Sequence, residues 1–305
     1  MTIEKPKAGG QAVIEGVMML VPGGYALSVR QPDKTIKTEK RPFKKITERN
    51  KFLHLPFIRG VASFVESMVL GYESINKSAA IAYGETMKGG AKETLLNALT
   101  IILSLAIGFG IFFFGPVYVG TILKLQGNQL LFNLFAGGFR FLLFIIYIVA
   151  ISYVKDIKRL FMYHGAEHKT IYAYESGDEL TVENIRKYST KHPRCGTSFI
   201  FITLLTAILF YAVIDYFVFM TLNIPNNPFN RFLNHMIFLP LIASVSYELL
   251  MLAGKFYRNP LVKFMVWPGI LFQYITTKEP TDDMIEVAAE SLKSSFEASS
   301  GVQEK

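Results

Sequence analysis

The sequence predicts a mainly α-helical membrane protein, with about four transmembrane helices and a cytoplasmic cap that contains a small N-terminal β-meander. Composition is the first observation behind this prediction, because 51% of the 305 residues are hydrophobic and only 18% are charged. The second is that the apolar residues are gathered into blocks, and a helix needs roughly 20 such residues to cross the hydrocarbon core. Four blocks are long enough, at residues 95–115, 131–154, 198–220 and 232–253.

Lysine and arginine around these blocks predict the orientation of the chain. They are frequent before the first block, between the second and third blocks and after the fourth, whereas the two other connections offer only Lys124 and Arg231. Loops rich in Lys and Arg stay on the cytoplasmic side. We therefore expect both termini and the loop 155–197 in the cytoplasm, and this topology explains most of the net charge of +8. The polar, basic N-terminus predicts no cleavable signal peptide.

The N-terminal segment, 1–55, is expected to be rich in β-structure. Stretches rich in β-formers, or with alternating polarity, are separated by the turn sequences Pro-Gly-Gly and Gln-Pro-Asp-Lys. A meander of three strands follows, over residues 11–20, 25–30 and 35–40. Such a small sheet is not stable alone, so we expect it to pack on the rest of the cap or on the membrane surface.

The remaining chain divides into three further segments. Residues 56–92 show helical apolar periodicity and predict an amphipathic or interfacial helix. Residues 93–254 contain the four blocks and the loop 155–197. The tail, 255–305, begins with an apolar stretch at 261–275 that is expected to be re-entrant or surface-lying. From Glu279 we expect a short amphipathic helix, followed by a Ser-, Gly- and Glu-rich end that is expected to be disordered.

The sequence Tyr-His-Gly-Ala-Glu-His-Lys, directly after the second block, carries the most specific chemistry. His164 and His168 are four residues apart, so on a helix both imidazoles share one face and can reach one ion. The order H-x-x-E-H is that of the inverted zincins, in which the glutamate is the general base. Glu167 is therefore the candidate catalytic residue, and the cofactor expected is a divalent metal such as zinc. The alternative is that all three are surface residues of a polar helix beside the membrane.

A zinc site needs a third ligand. Glu248 is a candidate because it lies on the fourth block near its cytoplasmic end, at roughly the depth of the histidine pair. The alternative for Glu248 is a structural pairing with Arg140 or with a backbone amide. His192 and Cys195, just before the third block, are the other candidate ligands.

Three further residues near these motifs are site candidates. Cys195, beside Arg194, is either a nucleophile with a lowered pKa or a small buried residue at the start of a helix. Glu15, in a glycine-rich stretch, is a candidate to reach the histidine-rich site. Because Cys195 is the single cysteine, an intrachain disulfide and a Cys-cluster metal site are both excluded.

Ionisable residues inside the apolar blocks are costly, so each predicts a buried partner or a site. Asp215 and His235 both lie toward the outer face, where they can pair with each other. Arg140 lies near the middle of its block and is expected to need a carboxylate partner. These residues do not form a continuous series at successive depths, which leaves transport as a third hypothesis.

Several sequence blocks occur in one family in the same order as here, and together they cover most of the chain. They are GGQAVIEGVMM, YHGAEHK, HPRCGTSF and PGILFQYITTKEP followed by MIEVA. On these blocks the chain resembles the bacterial YqhQ-like membrane proteins, whose domain of unknown function carries the label of a predicted metal-dependent enzyme. The resemblance implies a multi-pass protein of the bacterial inner membrane with this arrangement of spans.

Two functional classes follow. The leading hypothesis is a metal-dependent hydrolase-type site at the cytoplasmic face, with His164, His168 and Glu248 or His192 as ligands. The rival is a non-catalytic scaffold or membrane-protein biogenesis factor, whose basic cap binds anionic lipid, a ribosome or a translocon component. No pattern typical of sequence-specific nucleic-acid recognition is present.

Overall fold

The computed structural model describes residues 6–84, 91–193, 195–256 and 259–303. Its strands β1–β4 are Gly9–Val13, Gly16–Val21, Gly23–Arg30 and Ile36–Phe43. The helices α1–α11 are Ile46–Arg49, Ile58–Tyr83, Ala91–Phe109, Gly115–Ile122, Gln129–Ser152, Lys155–Ser176, Val182–Arg186, Gly196–Asp215, Pro228–Lys255, Pro260–Thr276 and Asp282–Gln303. Two π-helical turns, Gly110–Phe114 and Tyr216–Thr221, continue α3 into α4 and extend α8.

Four helical stretches are long and apolar enough to cross a membrane, as the sequence predicts. They are Leu95–Ile122, Gln129–Ser152, Ile200–Thr221 and Pro228–Ala253. The first runs further than expected because the helix continues through Gly115 and Pro116. Proline lacks a backbone N–H, and here it follows directly on the π-helical turn, where the regular hydrogen-bond pattern is already interrupted.

The N-terminal meander has four antiparallel strands in the order β1-β2-β3-β4, rather than the three predicted. The predicted first strand is a hairpin that turns at Ile14 and Glu15, with Val13 paired to Gly16. Glu15 takes a positive φ of 51°. The apolar run on both sides of this turn gives no turn signal, which is why the sequence reads as one strand.

The cap, formed by the sheet β1–β4 with α6, α7 and α11, has its own hydrophobic core. Helix α11 lies across β2, β3 and β4 and also contacts α6. The core side chains shared by these elements include Val17, Met19, Tyr163, Met284 and Leu292. Helix α11 covers the region where a short amphipathic helix was predicted, and it continues to Gln303 through the serine-rich end that was predicted to be disordered. Small serines fit closely against the sheet. Ser291, for example, is buried and donates to the carbonyl oxygens of Val17 and Ala26.

Helix α2 connects the cap to the membrane helices through small residues. Gly71 and Ser78 face β1 and the turn after it, and Gly60 packs against Ser244 of α9. The apolar face predicted for this helix, including Met68 and Tyr72, is exposed. An exposed apolar face is what an interfacial helix presents to lipid, so the interfacial location stays a prediction.

At the end of the bundle opposite the cap, a buried polar network joins α5, α8 and α9. The pairing of His235 with Asp215, which the sequence predicts, is confirmed, with Nε2 3.2 Å from Oδ2. The stronger partner was not foreseen, because Arg231 lies at the edge of its block: its Nη1 is 2.6 Å from Asp215 Oδ2, and both side chains are fully buried. Asn133 and Asn234 also donate to the Asp215 carboxylate.

Replacing Asp215 by alanine should destabilise the protein strongly, because the buried Arg231 would lose its counter-charge. Breaking a buried ion pair from one side costs about 3–5 kcal/mol of unfolding free energy. Thermal unfolding in detergent measures the loss, with the exposed Glu73→Ala on α2 as the control. The double variant Asp215→Ala/Arg231→Met should recover part of the stability. Equal melting temperatures for Asp215→Ala and Glu73→Ala would contradict the role of the network.

Gly165→Ala should loosen the contact between α6 and the segment after α10. An added methyl group would overlap the backbone carbonyl oxygen of Lys278, which has little freedom to move. Overpacking of this kind costs about 1–3 kcal/mol. Gly9→Ala is the matched control, since nothing lies within 4 Å of its added Cβ. The prediction fails if both variants unfold at the wild-type temperature.

Candidate metal centre

The histidine pair lies on α6, a helix that starts afresh after α5 rather than continuing it. Val154 is extended and precedes the first residue of α6, so the chain changes direction between the two helices. Within α6 the rings of His164 and His168 face the same side, with their centroids 4.4 Å apart. Glu167, His168 and Lys169 are all buried, which the alternative of a surface helix does not predict.

Each imidazole is held by a backbone carbonyl. His164 Nδ1 lies 2.9 Å from the carbonyl oxygen of Thr276, and His168 Nδ1 lies 2.6 Å from that of Thr190. A carbonyl can only accept, so both Nδ1 atoms carry the proton. The Nε2 atoms therefore have free lone pairs, which is the tautomer that a metal-binding histidine needs.

Cys195 completes a cluster of three donor atoms. Its Sγ is 3.2 Å from His164 Nε2, and one ligand atom from each of His164, His168 and Cys195 lies within 4.8 Å of the other two. In a tetrahedral zinc site, bond lengths of about 2.3 Å to sulfur and 2.0 Å to nitrogen separate these atoms by about 3.5 Å. The distance of 3.2 Å between His164 Nε2 and Cys195 Sγ is close to this value, and the limit of 4.8 Å for the cluster requires only small side-chain shifts to reach it.

The loop that carries Cys195 is fixed by α10. Gln273 of α10 accepts from the backbone N–H of His192 at 2.7 Å and donates to the carbonyl oxygen of the same residue at 2.9 Å. The Cys195 N–H in turn donates to that carbonyl oxygen, at 3.3 Å. Because Thr276 is on the same helix as Gln273, α10 positions both the cysteine and the first histidine.

Burial keeps the imidazoles of His168 and His192 neutral. It lowers the pKa of His168, against the opposing effect of the hydrogen bond with Cys195, and it lowers the pKa of His192 to about 4, against the attraction of Glu167. Neutral imidazole is the form that binds a metal, so these shifts favour binding at neutral pH. His192 Nε2 lies 3.5 Å from a carboxylate oxygen of Glu175, and the His192 ring is 5.7 Å from that of His168.

Glu167 is placed beside the cluster. Burial raises the pKa of its carboxyl, and the neighbouring His164 and His192 and a hydrogen bond from the backbone of Gly10 oppose the rise. Strand β1 comes so close that a Cβ on Gly10 would lie 3.0 Å from the Glu167 carboxyl carbon. A glycine is therefore needed at this point of the Gly-Gly-Gln sequence.

These residues line a common cavity of about 560 Å³. Its walls come from β1, from α6, and from the loop and first turn of α8 around Cys195. The polar side chains that line it are Gln11, His164, Glu167, His168, His192 and Cys195. Space for a small ligand thus adjoins the three donor atoms and the buried carboxyl.

The structure separates the other candidates from this cavity. Glu248 forms a bidentate ion pair with Arg59, at 2.8 and 2.5 Å, and accepts from the N–H of Phe57. Glu15 pairs in the same way with Arg159, both distances being 2.5 Å. Arg194 lies outside the described residues.

Sequence reasoning missed the residues that position the site, namely Thr190, Thr276, Gln273 and Gly10. Thr190 and Thr276 act through their backbone carbonyls, for which a side-chain pattern gives no signal. Gln273 and Gly10, however, lie inside two of the blocks shared with the YqhQ-like proteins. Their place in those blocks could have identified them as candidate site residues.

Comparison with known proteins agrees with the sequence blocks. The family described as "Protein of unknown function (DUF1385)" matches residues 55–298. The "Uncharacterized protein YqhQ" of Bacillus subtilis (strain 168) is 33% identical over 303 residues, which cover 94% of this chain and 91% of that protein. No solved structure matches the chain significantly. Because the match extends over the cap, the membrane helices and the His–Cys cluster alike, the chain belongs to the DUF1385 family of YqhQ-like proteins.

Proposed function

We propose that this protein is a metal-dependent hydrolase of the bacterial inner membrane, with its site on the cytoplasmic side. The observation that supports it most is the convergence of one ligand atom each from His164, His168 and Cys195, with the Nδ1–H of both histidines held by a backbone carbonyl. Two nitrogens and one sulfur form a donor set that suits zinc and leaves a fourth position for a ligand.

The residues of the site have distinct roles in this proposal. His164, His168 and Cys195 hold the ion, and the carbonyls of Thr190 and Thr276 orient the two rings. A bound zinc ion would supply Lewis-acid activation and lower the pKa of a water molecule. Glu167 takes up the proton of the attacking water and later releases it to the leaving group. The rise in its pKa on burial suits a group that must do both at neutral pH.

The sidedness of the site follows from the charge distribution. The cap contains the segments rich in Lys and Arg, and such segments are retained in the cytoplasm. The substrate would therefore reach the cavity from the cytoplasm or from the inner leaflet of the membrane.

A non-catalytic scaffold is the second candidate function, and the contacts of α10 favour it. The bonds from His164 to Thr276 and from His192 to Gln273 also fasten the cap to the membrane helices. In that case the histidines would serve stability alone, and the basic surface of the cap would bind anionic lipid, a ribosome or a translocon component.

Metal content decides between the two candidates. Elemental mass spectrometry on detergent-purified protein should find about one zinc per chain in the wild type, and none in His164→Ala/His168→Ala or in Cys195→Ser. His54→Ala, which changes an exposed histidine far along the chain, should keep the metal. Glu167→Gln should also keep it, because the proposal gives this residue no ligand role.

Thermal unfolding provides a second readout. Chelation should lower the melting temperature of the wild type, and added zinc should restore it, since a ligand at 100 times its Kd stabilises by about 2.7 kcal/mol. Stoichiometric metal that survives in the double histidine variant would overturn the assignment. If the wild type contains no metal and the variants are only less stable, then His164, His168 and Cys195 serve the scaffold function instead.

A further inference from the structure

A second cavity, of about 490 Å³, lies among the membrane helices. It is bounded by α3 and the π-helical turn after it, by α5 and by α8. Its walls are mostly apolar, and their aromatic side chains are Phe64, Phe109, Phe112, Phe113, Phe144, Tyr147 and Tyr211. A cavity of this size and lining is typical of a site for an apolar ligand.

One charged side chain, Arg140, faces this cavity. Its Nε–H donates to the carbonyl oxygen of Phe112 at 2.7 Å, and its guanidinium lies over the ring of Phe113, 4.8 Å from the centroid. The carbonyl belongs to the π-helical turn Gly110–Phe114. The sequence predicted a carboxylate partner, and the structure provides a neutral carbonyl instead.

Two buried polar atoms that line the cavity have no hydrogen-bond partner among the described residues. They are Arg140 Nη2 and Thr203 Oγ1. An unpaired donor in a buried place costs about 1–3 kcal/mol, and more when it is charged. An ionisable residue inside a membrane span marks a site by default, and the matching ligand for this one is an anion.

The boundary formed by α3 gives the cavity access to lipid. From Leu95 to Phe109 every residue of α3 is exposed except Gly108, which is half-buried. In a bilayer such a helix is surrounded by lipid, so the ligand that can reach the cavity most directly is a lipid molecule. A soluble anion would find almost no polar surface there apart from Arg140 and Thr203.

We propose that this cavity binds an anionic lipid, with its hydrocarbon chain against the aromatic walls and an anionic oxygen accepting from Arg140 Nη2 and Thr203 Oγ1. The proposal does not rest on the proposed hydrolase activity, since His164, His168 and Cys195 do not line this cavity. Its specificity comes from a single charge in an apolar setting, so a zwitterionic lipid of the same chains should bind more weakly.

Native mass spectrometry of delipidated, full-length protein in detergent tests this proposal with dioleoyl phosphatidylglycerol and dioleoyl phosphatidylcholine as probes. The wild type should retain about one phosphatidylglycerol per chain and prefer it over phosphatidylcholine. Arg140→Gln should weaken phosphatidylglycerol binding roughly tenfold or more, as expected for a lost charge-assisted hydrogen bond. Arg140→Lys should retain part of the preference.

A pair of glycine variants tests the cavity itself. Gly108 lines it, Gly138 does not, and nothing lies within 4 Å of an added Cβ at either position. Gly108→Phe should therefore exclude the lipid, whereas Gly138→Phe on α5 should bind it like the wild type. Melting temperatures of both variants control for folding.

Three results would overturn the proposal. One is equal binding of the two lipids by the wild type. Another is binding by Arg140→Gln and Gly108→Phe at the level of Gly138→Phe. The third is complete displacement of phosphatidylglycerol by inorganic phosphate, which would mean that Arg140 binds a soluble anion rather than a lipid.

Discussion

The burial of one polar helix, α6, is the constraint on which the cap and its site depend. Consecutive residues Glu167, His168 and Lys169 are all inaccessible to solvent or nearly so. Polar groups removed from water must find partners within the protein. The chain supplies them from several directions: Thr190 and Arg186 give carbonyl oxygens, Glu279 pairs with Lys169, and β1 approaches Glu167. The loop after α6 and the segment after α10 are thereby held around it.

Helical periodicity was sufficient to predict the part of the site that lies on one element. His164 and His168 share a face because they are four residues apart. Glu167 lies beside them because it is three residues after His164 and directly before His168. The third donor comes from a different element, and here depth along a span was a poor guide. Glu248 was expected near the histidines, yet Arg59 binds it with two hydrogen bonds. Which helix neighbours which is set by packing, and a single sequence does not encode that in its periodicity.

The fold shows the same division between local and non-local information. Membrane spans depend on local composition, so their number and approximate limits followed from the sequence. The hairpin turn at Glu15 and the helical structure of the serine-rich end of the tail did not follow from the sequence. The tail is helical because its serines find acceptors on a sheet more than 250 residues away along the chain, as Ser291 does with Val17 and Ala26.

The side chain of Ile200 is a partition between the two cavities, since it lines both. It lies one helical turn beyond Gly196, the first residue of α8, which also borders the His–Cys cavity. A ligand that displaces this side chain on one side changes the space available on the other. Thermodynamic linkage then requires reciprocity: an occupant of the membrane cavity alters affinity at the cap by the same factor as an occupant of the cap alters affinity in the membrane. If both cavities bind their proposed ligands, Ile200 is the side chain through which an occupant of one would alter affinity in the other.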